Sequence, residues 1–119
     1  MELVVYGDFN CPYSCLASAR AGILVERGIA AVEWRAVEHD PSIPLPSEPV
    51  DGDLAVMLDR EVAEVSGLLR ADETFPIRRP PVHPNSAAAV AVFAASAPDG
   101  SSQLRRSLFG AGHTGRSTP

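Results

Sequence analysis

The sequence predicts an α/β domain in which a strand, a helix and a second, parallel strand come first and a run of helices follows. Three observations carry this expectation. Residues 2–9 are rich in Val and alternate weakly in polarity, Pro12 to Arg27 repeats small and apolar residues near helical spacing, and Ala30 to Val37 alternates again. Strand, helix and strand in that order form a right-handed βαβ unit with parallel strands.

Each element has a local reason. The first strand, with Leu3-Val4-Val5-Tyr6 at its centre, ends at Asp8, and Asp8 and Asn10 suit the turn that follows. The helix from Pro12 carries Cys15, Leu16, Ala19, Ile23, Leu24 and Val25, and Gly28 stands where a left-handed residue closes a helix. In the second strand Val32, Trp34 and Ala36 alternate with Glu33, Arg35 and Val37, and Trp34 is most simply a core aromatic. Pro41, Pro44, Pro46 and Pro49 then mark a connecting loop, because proline suits neither a helix interior nor a central strand. Asp51 or Asp53 can cap a helix running to about Arg70, with Leu54, Met57, Leu58, Glu61, Val62, Val65 and Leu68 along one face. The glutamates and arginines of 59–70 read as its solvated side. A second loop holds Pro76, Pro80, Pro81 and Pro84. Asn85 caps an alanine-rich helix, Ser86 to Ala97, that ends before Pro98-Asp99-Gly100, and Ser101 or Ser102 opens a short last helix through Leu104, Leu108 and Phe109. Residues 110–119 lack periodicity and apolar content and are expected to form a disordered tail.

Composition narrows the function. A chain of 119 residues suits one domain, and its net charge is −5. All ten basic residues are arginine, and none clusters beyond the pairs Arg78-Arg79 and Arg105-Arg106, which argues against a nucleic-acid partner. No apolar run approaches the roughly eighteen residues of a membrane span. The first strand begins with no charged and apolar leader ahead of it, so a cytoplasmic location is expected. Two cysteines so close together cannot staple a fold, and redox or nucleophilic chemistry is the better use for them. His39, His83 and His113 have no metal-ligand spacing; no metal is expected, and solvated histidines are the simpler reading.

Chemistry is expected at Asp8-Phe9-Asn10-Cys11-Pro12-Tyr13-Ser14-Cys15, where the first strand hands over to the helix. The first turn of a helix has N–H groups without intrahelical partners and the positive end of the macrodipole, and both stabilise a thiolate at Cys11. Pro12 fits the first helical position. Ser14 lies three residues on, on the same face, with a hydroxyl able to donate to that thiolate. Cys15 falls on the first full turn and packs best as a small core hydrophobe. Residues four apart on a helix hold their Cβ atoms about 5–6 Å apart, too far for a disulfide, which wants about 3.5–4.5 Å. Asp8 and Glu38 are candidates to tune Cys11 electrostatically, against a plainer role as turn residues.

The strand, Cys11-Pro12-Tyr13-Ser14 and the helix resemble the active site of the thioredoxin superfamily in its DsbA-like branch. That branch includes cytoplasmic FrnE-type oxidoreductases and the related kappa-class glutathione transferases and 2-hydroxychromene-2-carboxylate isomerases. The resemblance extends through Trp34-Arg35-Ala36-Val37-Glu38-His39-Asp40-Pro41 to Pro84-Asn85-Ser86. It implies a thioredoxin-like βαβ core over 1–40, an α-helical insertion over 51–109, and a partial domain ending near Phe109 that lacks the C-terminal β-hairpin and closing helix. The absent strands would cover Val4, Tyr6, Val32 and Trp34, so an apolar patch, and a homodimer through the uncovered sheet, are expected.

The motif departs from the family in one place. The oxidoreductases carry Cys-x-x-Cys, whereas Ser14 stands here at the resolving position and the second cysteine comes one residue later; the transferase and isomerase branch typically reads Ser-Pro-Tyr-Ser. The resemblance therefore implies a thiol-disulfide oxidoreductase working through Cys11 alone, with Ser14 stabilising it and Pro12 and Tyr13 supporting. It binds no cofactor, acts on protein or small-molecule thiols and disulfides, and uses glutathione as co-substrate to release the mixed disulfide. Two alternatives remain open: a glutathione-dependent isomerase or transferase, and a non-catalytic remnant.

Overall fold

The strand-to-helix junction is held by a parallel pair of strands, β1 (Glu2–Gly7) and β2 (Ala31–Ala36), joined through α1 (Pro12–Glu26). Leu3 lies opposite Val32, Val5 opposite Trp34 and Gly7 opposite Ala36. In this computed structural model, which describes residues 1–43, 48–73, 77–79, 82–83, 85–96 and 98–109, the remaining elements are β3 (Glu48–Pro49), α2 (Gly52–Gly67), β4 (Val82–His83), α3 (Ala87–Ala94) and α4 (Pro98–Phe109). The described chain is thus mixed α/β, with a two-stranded parallel sheet, a βαβ unit at its start and four helices.

The expected boundaries of the βαβ unit hold to within a residue or two. α1 starts at Pro12 in the first helical position and ends in a Schellman arrangement. Gly28 takes φ +67° and donates to the Val25 carbonyl at 3.0 Å, and Ile29 donates to the Leu24 carbonyl at 3.0 Å. α1, α3 and α4 all pack on the sheet face that carries Val5, Trp34 and Ala36. Phe9, Cys15, Trp34, Phe93 and Phe109 form the core there, with Phe9 edge-on to Phe93 at 5.6 Å and Trp34 edge-on to Phe109 at 5.5 Å.

The opposite sheet face is open, which corrects the expected patch. Val4 and Tyr6 are 49% and 61% exposed, but Trp34 is only 7% exposed because strand alternation puts it on the other face. Across the open face the Arg35 guanidinium donates to the Tyr6 hydroxyl at 2.7 Å and to Glu33, so the patch is partly polar.

α2 follows Asp51 as its N-cap and buries Leu58 and Val65, while Met57 and Leu68 of the expected apolar face point to solvent. Arg20 of α1 grips the chain after α2, donating to both Glu73 carboxylate oxygens and to the Leu68 carbonyl. Hydrogen bonds from the Arg20 guanidinium, then from the Arg70 amide, hold the Glu73 carboxyl down to about 2.

Three local expectations are revised. α4 begins at Pro98, not at Ser101 or Ser102, because a proline followed by Asp and Gly reads as a turn but is equally at home in a first helical turn. α3 has Ser86 as its N-cap, and Asn85 acts one residue earlier: its side chain accepts from the Ala87 amide at 2.8 Å and donates to the Ile43 carbonyl at 2.7 Å. Within the proline-rich stretches, Glu48-Pro49 and Val82-His83 pair as a short antiparallel ladder, and Pro49 takes an edge position that needs no N–H. Pro44, Pro46, Pro76, Pro80, Pro81, Pro84 and the whole of 110–119 lie outside the described residues.

Candidate active site at the strand-to-helix turn

Cys11 caps α1. Its backbone is extended, φ −142° and ψ 121°, its carbonyl accepts from the Cys15 amide at 3.0 Å, and its side chain makes no capping bond. The thiol is half-buried and free, at the end of β1 and the head of a fifteen-residue helix. Pro12 is buried and supplies no N–H, so the first-turn donors come from the residues after it.

Ser14 is held from behind. Its hydroxyl oxygen accepts from the Asp8 amide at 3.2 Å, which ties the first turn of α1 to the end of β1 and leaves the hydroxyl hydrogen to donate elsewhere. Gly7 makes this approach possible, because a Cβ there would stand 2.4 Å from the Trp34 ring and 3.1 Å from the Ser14 oxygen. No hydrogen bond joins the Ser14 hydroxyl to the Cys11 thiol, although the two share the turn.

Tyr13 reaches outward to α2, where its hydroxyl donates to Glu64. That bond, then burial and the negative charges of Glu64, Glu61 and Cys11, push the phenol up to about 12. Glu61 and Glu64, which the sequence placed on a merely solvated face, therefore form an acidic rim beside the thiol's neighbour. Cys15 is 3% exposed in the aromatic core. Burial, reinforced by the charge of Cys11, drives its thiol up to about 12.

The turn itself is pinned from two sides, and neither pin was evident from the motif. Phe9 is 6% exposed and lies 5.0 Å from Phe109, so the residue two before Cys11 is anchored in the core. Asp8, also 3% exposed, is a hydrogen-bond hub. Its carboxylate accepts from the Asn10 amide at 2.9 Å and the His39 amide at 2.9 Å, and His39 Nδ1 lies 2.5 Å from Asp8 Oδ2. Burial raises the Asp8 carboxyl, but bonds from the Asn10 and His39 amides, the Ser86 hydroxyl and the His39 ring outweigh it and leave its pKa lowered. The expectation of a plainly solvated His39 is thus corrected: half its side chain is exposed, but its ring closes the turn through Asp8. The only available clue was an acidic residue at a strand end facing a histidine just past the parallel strand.

Among the described residues no group of three or more His, Cys, Asp or Glu side chains could hold a metal ion, and no helix is long and apolar enough to cross a membrane. The arrangement can do thiol chemistry: one half-buried sulfur at a helix N-terminus, one protected sulfur behind it and a hydroxyl three residues after the first. No protein-family model matches this chain, and no curated protein is significantly similar to it.

Proposed function

We propose that the chain is a thioredoxin-like domain of the DsbA-like type that acts as a monothiol thiol-disulfide oxidoreductase through Cys11. The observation that carries this reading is the placement of Cys11: it is the N-cap of α1 at the end of β1 with Pro12 in the first helical position, while Cys15 is sealed in the core. The helix terminus favours negative charge at that sulfur. In the forward step the Cys11 thiolate attacks one sulfur of a disulfide, forming a mixed disulfide and expelling the other sulfur as a thiolate. Cys15 is poorly placed to resolve it. A glutathione thiolate then attacks the substrate-derived sulfur, restoring the Cys11 thiolate and leaving a glutathione mixed disulfide. A second glutathione resolves that product.

The test is reduction of bis(2-hydroxyethyl) disulfide with glutathione present. Cys11→Ser is expected to fall to the uncatalysed rate, and Cys15→Ser to retain turnover. Turnover that survives in Cys11→Ser would contradict the reading.

Ser14 favours a second reading, a glutathione-dependent transferase or isomerase. Fixed by the Asp8 amide and with its hydrogen free to donate, it could polarise the thiol of bound glutathione. Conjugation of glutathione to 1-chloro-2,4-dinitrobenzene that persists in Cys11→Ser and is lost in Ser14→Ala would favour that reading.

A further inference from the structure

Away from the Cys11 turn, a cleft of about 740 Å³ opens between β2, α3 and α4, walled in part by Trp34, Phe93, Ala94, Ser101, Ser102 and Arg105. Neither Cys11 nor Ser14 lines it. Its size is that of a small-molecule site. Two buried polar groups of its lining residues lack a full set of partners among the described residues.

The first is Arg105, which is 4% exposed. Its Nε donates to the Ser18 hydroxyl at 3.0 Å, and its guanidinium carbon lies 5.4 Å from the centre of the Trp34 ring. Among the described residues no carboxylate pairs with it. Glu33, at the same cleft, is engaged by Arg35. A guanidinium has five donors, so most of its hydrogen-bonding capacity has no partner among the described residues. A buried charge without a counter-ion is a strongly unfavourable arrangement, and burial, then the neighbouring charge of Arg106, both push the Arg105 pKa down. The second is the Trp34 indole N–H, which is closed off from solvent and has no acceptor among the described residues. Buried donors are rarely left in this state.

A cation with no carboxylate partner among the described residues and apolar walls in one cleft describe the complement of a particular ligand. We propose that this cleft binds a small organic carboxylate, which accepts hydrogen bonds from the Arg105 guanidinium while its apolar body lies against the Trp34 ring, Phe93 and Ala94. A carboxylate matches the planar fork of arginine with two parallel bonds. A single buried cation neutralises a single negative charge, so a dianionic phosphate fits less well. The Trp34 ring also closes against Gly7, beside Ser14 at the thiol turn.

Trp34 is the only tryptophan in the chain, so its fluorescence reports the cleft directly. The full chain is titrated with phenylacetate, with the isosteric phenylacetamide and with inorganic phosphate, and thermal melting is followed in parallel. Phenylacetate is expected to give a saturable change in Trp34 emission and a higher melting temperature, with the amide and phosphate at least tenfold weaker. Arg105→Lys should keep weakened binding, and Arg105→Met should lose the preference for acid over amide. The absence of a saturable response to phenylacetate, an equal response to the amide, or phosphate binding as tight as phenylacetate overturns the proposal. The acid-amide comparison on the native chain decides the question even if Arg105→Met fails to fold.

Discussion

Cys11 and Cys15 are one helical turn apart and live in different media. The first sits half-buried at a helix cap; the second is enclosed by aromatic rings with its thiol pushed up to about 12. Iodoacetamide at pH 8 should therefore modify Cys11 in the folded protein and leave Cys15 intact until the pH nears 12 or the fold opens. Peptide mapping of the wild type, Cys11→Ser and Cys15→Ser checks this, and equal labelling of the two would contradict it. Tyr13 gives an independent reading of the rim, since its phenol is held at about 12 mainly by Glu64. In a Tyr6→Phe background, which leaves Tyr13 the only tyrosine, Glu64→Gln should bring the ultraviolet titration back toward the ordinary value of about 10. The positions of Cys11 at the cap, Pro12 in the first turn and Cys15 in the core were legible because each follows from helix position alone. The Asp8–His39 pair was not, because it joins loops 31 residues apart and no local pattern encodes that meeting.

At the scale of elements, the junction between β1 and α1 depends on close approach and on one buried carboxylate. Gly7→Ala would force a Cβ into the Trp34 ring, and overpacking of this kind costs about 1–3 kcal/mol. Denaturant unfolding should show that loss together with altered Trp34 emission. Asp8→Asn should cost about 1–3 kcal/mol at pH 7, since it weakens bonds to several buried donors. The sign of its pH dependence follows from the shift. The folded pKa lies below the reference 3.8, so the carboxylate's contribution is present above that value and is lost as pH falls through the lower, folded one. The gap between wild type and Asp8→Asn should accordingly narrow below about pH 3.8, by chemical denaturation at matched pH values. Helix starts were harder to read than helix existence. Pro98 opens α4 although proline followed by Asp and Gly signals a turn, and at α3 the first non-helical residue is Ser86, which makes no capping bond, while the Asn85 side chain accepts from the Ala87 amide as its type predicts.

Across the whole molecule, one sheet face carries the core and the other faces solvent. Val65 on α2 is fully buried, and Val65→Ala should cost about 2 kcal/mol. Val4→Ala on the open face should stay within about 0.5 kcal/mol. Paired denaturation curves check both. The βαβ order was legible in the alternation of its strands and the spacing of its helix. The aromatic cluster of Phe9, Trp34, Phe93 and Phe109 was not, because its members come from four separate segments whose meeting depends on how α3 and α4 return to the sheet. That return is also what seals Cys15 and leaves Cys11 as the accessible sulfur. Intact-mass and peptide analysis after incubation with oxidised glutathione tests this most directly. One glutathionyl group per chain, carried on Cys11, absent in Cys11→Ser and removed by excess reduced glutathione, is the predicted result. An adduct on Cys15, a Cys11–Cys15 disulfide or no adduct at all would contradict it.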